Sequence, residues 1–240
     1  RVRRKHREMR THAPAWGLLV AAFSLAIVVG LGALGVGRAM DSWMGDLPDV
    51  HDPNAFTYSD KTRIYANDRT TLLAEFFLQD QEPVEKSQVS DYVLRGTVAT
   101  EDTRFFEHGG VDYYGIARAL VNNLRGGSLE GASTITQQLV RNTLLSSEAN
   151  DISFRRKVRE AELAIEMEQA YSKDDILMMY LNTINYGSGC YGIEAAARHY
   201  YSKHANELTV AQAATLVGIP QSPTYNNPEI YPENCTKRRN

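Results

Sequence analysis

Charged side chains are missing from residues 13–37: no Asp, Glu, Lys or Arg interrupts these 25 positions. A helix at the surface of a soluble domain needs a polar face, and this stretch has none. As a helix, 25 residues are enough to cross a hydrocarbon core of roughly 30 Å. A cleaved signal peptide would carry an apolar region of only about 7–15 residues. The reading is therefore one uncleaved transmembrane helix over 13–37, with Trp16 at the interface and the basic tail 1–12 in the cytoplasm. Basic residues are also scarce elsewhere. Six of the 26 Lys and Arg fall in the first ten positions, so the other 230 residues carry 20 basic and 28 acidic side chains, a net of −8. Nucleic-acid binders show the opposite balance, and that role is excluded. Cysteine is rarer still. Neither the two cysteines nor the six histidines fall at metal-ligand spacing. Internal repeats and low-complexity segments are absent too.

What is present divides the rest of the chain. Residues 38–59 mix Gly, Pro, Asp and Asn and read as a juxtamembrane connector. Within 60–86, Thr62–Tyr65 and Leu72–Glu75 flank Asn67-Asp68 and predict a short β hairpin, closed by Pro83. From 87 to 240 the pattern is helical. Val89, Val93 and Val98 lead to a helix ending at Glu101. A second helix is expected over Val111–Leu124 and a third, capped by Ser133 or Thr134, to about Leu145. A long helix capped by Asp151 should end near Tyr171, with others over Lys173–Leu181, Ile193–Tyr201 and Val210–Val217. Pro220, Pro223, Pro228 and Pro232 are expected to forbid regular structure beyond. The region outside the anchor is thus mainly α with a small β element.

Three strings carry the chemistry. Residues 101–110 read Glu-Asp-Thr-Arg-Phe-Phe-Glu-His-Gly-Gly, residues 131–138 Gly-Ala-Ser-Thr-Ile-Thr-Gln-Gln, and residues 156–160 Arg-Lys-Val-Arg-Glu. Together they place two carboxylates, an amide pair and a cationic cluster in order along one chain, the parts a transfer site for an anionic sugar donor needs. The order resembles the family 51 peptidoglycan glycosyltransferases, found alone or in class A penicillin-binding proteins, whose patterns are E-D-x-x-F-x-x-H-x-G, G-x-S-T-x-T-Q-Q and R-K-x-x-E. A fourth family pattern, K-x-x-I-L-E-x-Y-L-N, is met over Lys173–Asn182 except that Met178 stands where Glu is usual. The family usually continues R-R-x-x-V-L-x-x-M at the position of Arg238-Arg239, so the domain is expected to run on past residue 240. No S-x-x-K, S-x-N or K-T-G triad of a penicillin-binding serine domain is present; the nearest is Lys61-Thr62-Arg63.

Glu101, where a helix gives way to a Gly-rich loop, is the candidate for proton transfer, and Asp102 sets a second negative charge beside it. The resemblance implies that Glu101 is the essential acid/base, acting on the acceptor 4-hydroxyl. His108 reads as a brace of the loop rather than a shuttle, and Phe105 and Phe106 as its packing anchors. Ser133, Thr134, Gln137 and Gln138 offer hydroxyls and amides to sugar and phosphate oxygens. Their helix start adds partial positive charge toward a diphosphate. Arg141 stands where the family has Lys, keeping charge with a different donor geometry. Arg156, Lys157 and Glu160 share a helix face, Glu160 orienting the two cations; the resemblance gives Glu160 a second catalytic role at the donor. Asn182 is expected at the cleft wall. Cys190 and Cys235 would face the oxidising side, where either a disulfide or two separate thiols is open.

The resemblance implies a lysozyme-like glycosyltransferase fold with a small jaw lobe against the membrane. It also implies polymerisation of lipid II into β-1,4 glycan with inversion and release of undecaprenyl diphosphate, in bacterial cell-wall synthesis. Its partners would be lipid II, the growing glycan strand, the bilayer, and other wall-synthesis and division proteins. No cofactor is required; a divalent cation such as Mg or Mn would assist the diphosphate, although no dedicated ligand set is visible. The rival readings are a glycan hydrolase or lytic enzyme of the same fold, and a non-catalytic scaffold of wall assembly.

Overall fold

The computed structural model describes residues 37, 40–52, 56, 62–77, 79–125 and 131–240. The chain divides into two compact units, Arg1–Leu47 and Pro48–Asn240. Of the first, residues 40–44 are helical, so the start of the expected connector is an ordered turn of helix. The basic tail and all but the last residue of the proposed membrane span lie outside the described residues. Among those described, no helix is long and apolar enough to cross a membrane.

The second unit is mainly helical. It opens with the expected hairpin, β1 (Thr62–Tyr65) antiparallel to β2 (Leu72–Phe76). Arg63 pairs with Glu75 across it at 2.7 Å. The helices are α1 (Asp91–Glu101), α2 (Tyr113–Leu124), α3 (Ile135–Asn142), α4 (Phe154–Ala170), α5 (Lys173–Thr183), α6 (Ile193–Tyr201), α7 (Val210–Val217) and α8 (Pro232–Arg239). Five of them begin at a Ser or Thr whose hydroxyl accepts a first-turn amide: Ser90, Thr134, Ser153, Ser172 and Thr209. Each such cap contributes about 1 kcal/mol. α3 packs against α4 and α5, and α1 against α7. Between them lies a core of Ile135, Leu139, Leu163, Met167, Ile176, Leu181 and Leu216, all fully buried.

Several boundaries differ from the sequence reading. Thr134, not Ser133, caps α3, and α3 stops at Asn142 rather than Leu145. At that stop the Thr143 hydroxyl donates to the Leu139 carbonyl at 2.8 Å, a back-bond that competes with the helix ladder. Ser153, not Asp151, caps α4; the Asp151 carboxylate accepts from the Ser153 hydroxyl at 2.7 Å instead. α2 starts two residues late because Val111 is drawn into a bridge with Gly109. The proline-rich end does hold a helix: Pro232 sits in the first turn of α8, where its missing N–H costs nothing. A pair of two-residue parallel strands, β3 (Asp80–Gln81) and β4 (Cys190–Tyr191), was too short to show a period.

Candidate active site

The first motif folds as a helix end followed by a tight loop. α1 ends at Glu101, and Phe105 beyond it is fully buried. The ammonium of Lys173, on α5, lies 4.4 Å from the Phe105 ring centroid and 2.5 Å from Glu168. Phe106, by contrast, is 61% exposed and is no anchor of the loop. Gly110 has φ +89, and a Cβ there would stand 2.5 Å from the Ala164 carbonyl oxygen of α4. Only glycine allows this approach, which holds the loop against α4. The Thr134 hydroxyl donates to the Gly110 carbonyl at 2.6 Å and pins the loop to α3 as well.

Asp102 is turned away from a shared carboxylate pair. His108 Nε2 lies 3.0 Å from its Oδ2, and the Ile135 amide donates to the same oxygen at 3.1 Å. Both the histidine and the aspartate side chains are nearly inaccessible. His108 is thus a brace, as expected, and Asp102 completes the bracing rather than offering itself to substrate. The finding also corrects the expected anion site: the α3 N-terminus already accommodates an anion, the carboxylate of Asp102. Thr134 and Gln137 are likewise committed, forming a reciprocal capping box in which each side chain accepts the other's amide.

Gln138 does reach the site. Its Nε2 donates to Glu101 Oε2 at 2.9 Å, and its Oε1 accepts from the Tyr180 hydroxyl at 3.3 Å. Burial, then the nearby Glu101 charge, raise the pKa of Tyr180 well above the ordinary tyrosine value and raise that of Tyr186. Both phenols therefore stay protonated, and Tyr180 stays a donor. Glu101 Oε1 is buried and has no hydrogen-bond partner among the described residues. A buried carboxylate oxygen without a donor is costly in a merely structural role and is characteristic of a functional group.

The third motif starts α4. Glu160 is fully buried, with Oε2 accepting from Arg156 Nη1 and Oε1 from Lys157 Nζ at 2.7 Å. Arg156 is itself buried, its Nε donating to the Asp151 carbonyl. These two residues are therefore internal, and Arg156 holds Glu160. Lys157 is the accessible cation of the set, and its Nζ also donates to Ser133 Oγ at 3.0 Å. Arg159, on the same helix, is buried and reaches Glu148 at 3.4 Å.

Glu101, Asp102, Ser133 and Thr134 line one cavity of about 290 Å³. Ser133 links it to the Lys157–Glu160–Arg156 chain, so the first and third motifs meet at one crevice. One expected residue lies elsewhere. Asn182 spends its side chain on Val84, accepting at 3.1 Å and donating at 3.0 Å, and its carbonyl accepts from Gln81 at 2.8 Å. It fastens the strand before α1 instead of lining a cleft. Arg141 sits half-buried in the last turn of α3, near enough to Tyr180 that its charge partly opposes the rise in that phenol's pKa. Cys190 and Cys235 are both buried and no disulfide joins them; Cys190 lies in β4, while burial raises the Cys235 thiol pKa in α8. Missed by the sequence reading were Glu168 and Lys173, whose salt bridge sits under Phe105, and the cavity residues Arg118, Gln221 and Arg238. A lysine in the fourth motif was the available signal for the first of these groups. For the second, Arg238 stood at the start of a family string, while Arg118 and Gln221 carried no signal.

A family profile described as Transglycosylase matches residues 69–240. Penicillin-binding protein 1A/1B of Bacillus subtilis (strain 168) is 40% identical over 220 residues, 91% of this chain and 24% of that protein. Penicillin-binding protein 1A of Neisseria flavescens is 45% identical over 159 residues, 65% of this chain and 20% of that protein. The crystal structure of penicillin-binding protein 1A from Haemophilus influenzae aligns with a TM-score of 0.42 and 22% identity over 76% of this chain and 17% of that chain. The chain spans about a quarter of the length of the curated relatives it matches. The chain belongs to the transglycosylase family, as the glycosyltransferase domain seen in class A penicillin-binding proteins.

Proposed function

We propose that this domain polymerises lipid II into β-1,4 glycan with inversion and release of the polyprenyl diphosphate. One observation carries the reading: Glu101, with an unpartnered carboxylate oxygen, shares a crevice with Ser133, and Ser133 is held by Lys157. In the transfer step the acceptor 4-hydroxyl attacks the donor anomeric carbon and its proton passes to Glu101 Oε1. The bond from that carbon to the diphosphate oxygen breaks, and the electron pair leaves with the diphosphate. Lys157 and the Ser133 hydroxyl meet the charge that develops there. Gln138, itself fixed by Tyr180, keeps the second Glu101 oxygen in place. Glu160 keeps Lys157 from swinging into solvent.

No group of three or more His, Cys, Asp or Glu side chains suited to a metal ion occurs among the described residues. Asp102 is committed to His108 and the Ile135 amide, so a divalent cation fits poorly beside Glu101, and no step is drawn through one. The bilayer enters the proposal through residues 13–37 and α2. Tyr113, Tyr114, Leu120 and Leu124 of α2 are 71%, 64%, 58% and 78% exposed. That apolar face suits a jaw lobe lying in the headgroup region of the membrane that carries the substrate. The test is incubation of membrane-inserted protein with labelled lipid II. Glycan chains are the expected product; free sugar or shortened polymer as the main product overturns the transfer reading in favour of hydrolysis.

A further inference from the structure

Lys173 is placed against the ordinary habit of lysine. A surface lysine lays its stem along the protein and keeps its ammonium in water. Here 23% of the side chain is exposed, yet Nζ itself is inaccessible. It turns inward, 2.5 Å from Glu168 Oε2 and 4.4 Å from the centroid of the buried Phe105 ring. The Glu168 side chain is only 6% exposed, and its other oxygen, Oε1, accepts from the Thr136 hydroxyl at 2.6 Å. We infer that Lys173 and Glu168 are positioning residues for Glu101, their ion pair clamping together the two segments that fix that carboxylate.

One segment is the loop that leaves Glu101. Phe105 lies four residues on, with the Lys173 ammonium against its ring. The other is α3. Thr136 is fully buried there, and Gln138, two residues further, donates to Glu101 Oε2 at 2.9 Å. Neither Lys173 nor Glu168 lines the Glu101 cavity. The pair thus acts on the carboxylate from behind, through Phe105 and through Thr136 with Gln138. Charge is what makes the clamp firm. A desolvated ammonium is drawn to the face of an aromatic ring. If either partner swung away, the other charge would be left buried alone, which is strongly unfavourable.

The simpler view is a salt bridge that staples the joint between α4 and α5. Two observations depart from it. The joint is already closed by Ser172 and Asp175, the Asp175 amide donating to Ser172 Oγ at 3.2 Å and the Ser172 amide to Asp175 Oδ2 at 3.3 Å. A cation at the first residue of α5 also opposes the helix dipole, which Asp174 and Asp175 complement. Neither cap nor dipole calls for an ammonium at this position; Glu168 and Phe105 do.

The inference rests on the transfer reading, in which Glu101 takes the acceptor proton. The experiment is polymerisation of labelled lipid II by the full membrane-inserted chain, with kcat, KM and melting temperature measured on each variant. Lys173→Met keeps an unbranched stem beside Phe105 and removes the charge. It should lower kcat about tenfold, because small displacements of a reacting group are costly, with KM changed by less than about twofold. Its melting temperature should fall as well, since Glu168 is left without its cation. The double variant Lys173→Met, Glu168→Gln removes that stray charge. Its melting temperature should return toward wild type while kcat stays low. Lys173→Arg, a cation that also lies well over aromatic rings, should keep at least about half of the wild-type kcat. Thr136→Val leaves both charges and cuts only the branch through α3; it should lower kcat about threefold at unchanged KM. That variant decides the matter should Lys173→Met fail to fold. A kcat within about twofold of wild type in both Lys173→Met and Thr136→Val, or a kcat that recovers together with melting temperature in the double variant, overturns the inference and leaves a structural ion pair. Glu101→Gln keeps the two readings apart. Normal turnover by Glu101→Gln sinks the transfer reading, whereas an inactive Glu101→Gln beside fully active Lys173→Met and Thr136→Val sinks the clamp alone.

Discussion

Helices α2 and α3 are built in opposite senses. α3 buries Thr136, Gln137 and Gln138 at 7% exposure or less, whereas α2 leaves Leu124 at 78%. Ordinary amphipathic logic would put the leucine inside and the amides out. α3 can bury its polar groups because each has a partner: Thr136 donates to Glu168 at 2.6 Å, Gln137 closes the capping box, and Gln138 bridges Tyr180 and Glu101. A polar network in a low-dielectric interior is rigid when satisfied and costly when broken. α2 instead exposes Tyr113, Tyr114, Leu120 and Leu124, and on the proposed reading the surroundings of that face are lipid rather than water. On that reading the polar helix serves the reaction and the apolar helix serves its location.

The sharpest way to break the polar half is to remove Glu160. Glu160→Ala leaves Arg156 buried without its carboxylate and should cost about 3–5 kcal/mol in denaturant unfolding; a loss below about 1 kcal/mol would mean the cluster relaxes into solvent. Next comes the contact between loop and helix. Gly110→Ala forces a Cβ into the Ala164 carbonyl at positive φ and should cost about 2–3 kcal/mol, with turnover falling as Asp102 and His108 shift. A melting temperature equal to wild type would contradict the close approach.

A third test uses a buried carboxylate away from the site. Burial would raise the pKa of Glu194, but hydrogen bonds from Arg198, the Ala205 amide and His204 outweigh it and hold the group below its ordinary value of 4.5. The sign follows from linkage: this contribution is fully present above the ordinary value and is lost as pH falls through the lowered one. Unfolding measured over acidic pH should show that wild type loses more stability than Glu194→Gln across that window; parallel curves would refute it. The smallest effect on stability belongs to α2. Leu120→Glu with Leu124→Glu should change stability by less than about 0.5 kcal/mol, yet reduce sedimentation with anionic vesicles. Unchanged vesicle binding would separate α2 from the membrane.

The sequence made much of this legible. The hairpin and seven of the eight helices α1–α8 followed from spacing, and Thr134 was one of the two caps offered for α3. What it hid were commitments made in three dimensions. Thr134, Gln137 and Asn182 look like substrate ligands as residue types, but each is consumed by a local cap or a strand tie whose partners the chain order does not reveal. Glu160 and Arg156 look exposed on a charged helix face, yet α4 packs with that face inward. Pro232 looks like a helix breaker because the rule about proline depends on position within the turn. Arg118 carried no pattern and Arg238 only the start of a fifth family string; folding alone brings α2 and α8 to one cavity.

The most direct measurement is polymerisation of labelled lipid II by membrane-inserted Glu101→Gln. This exchange keeps the size of the side chain and its contact with Gln138 while removing the proton acceptor. We expect glycan synthesis to fall at least about a hundredfold, with the melting temperature and diphosphate binding retained. Polymerisation at the wild-type rate would contradict the account.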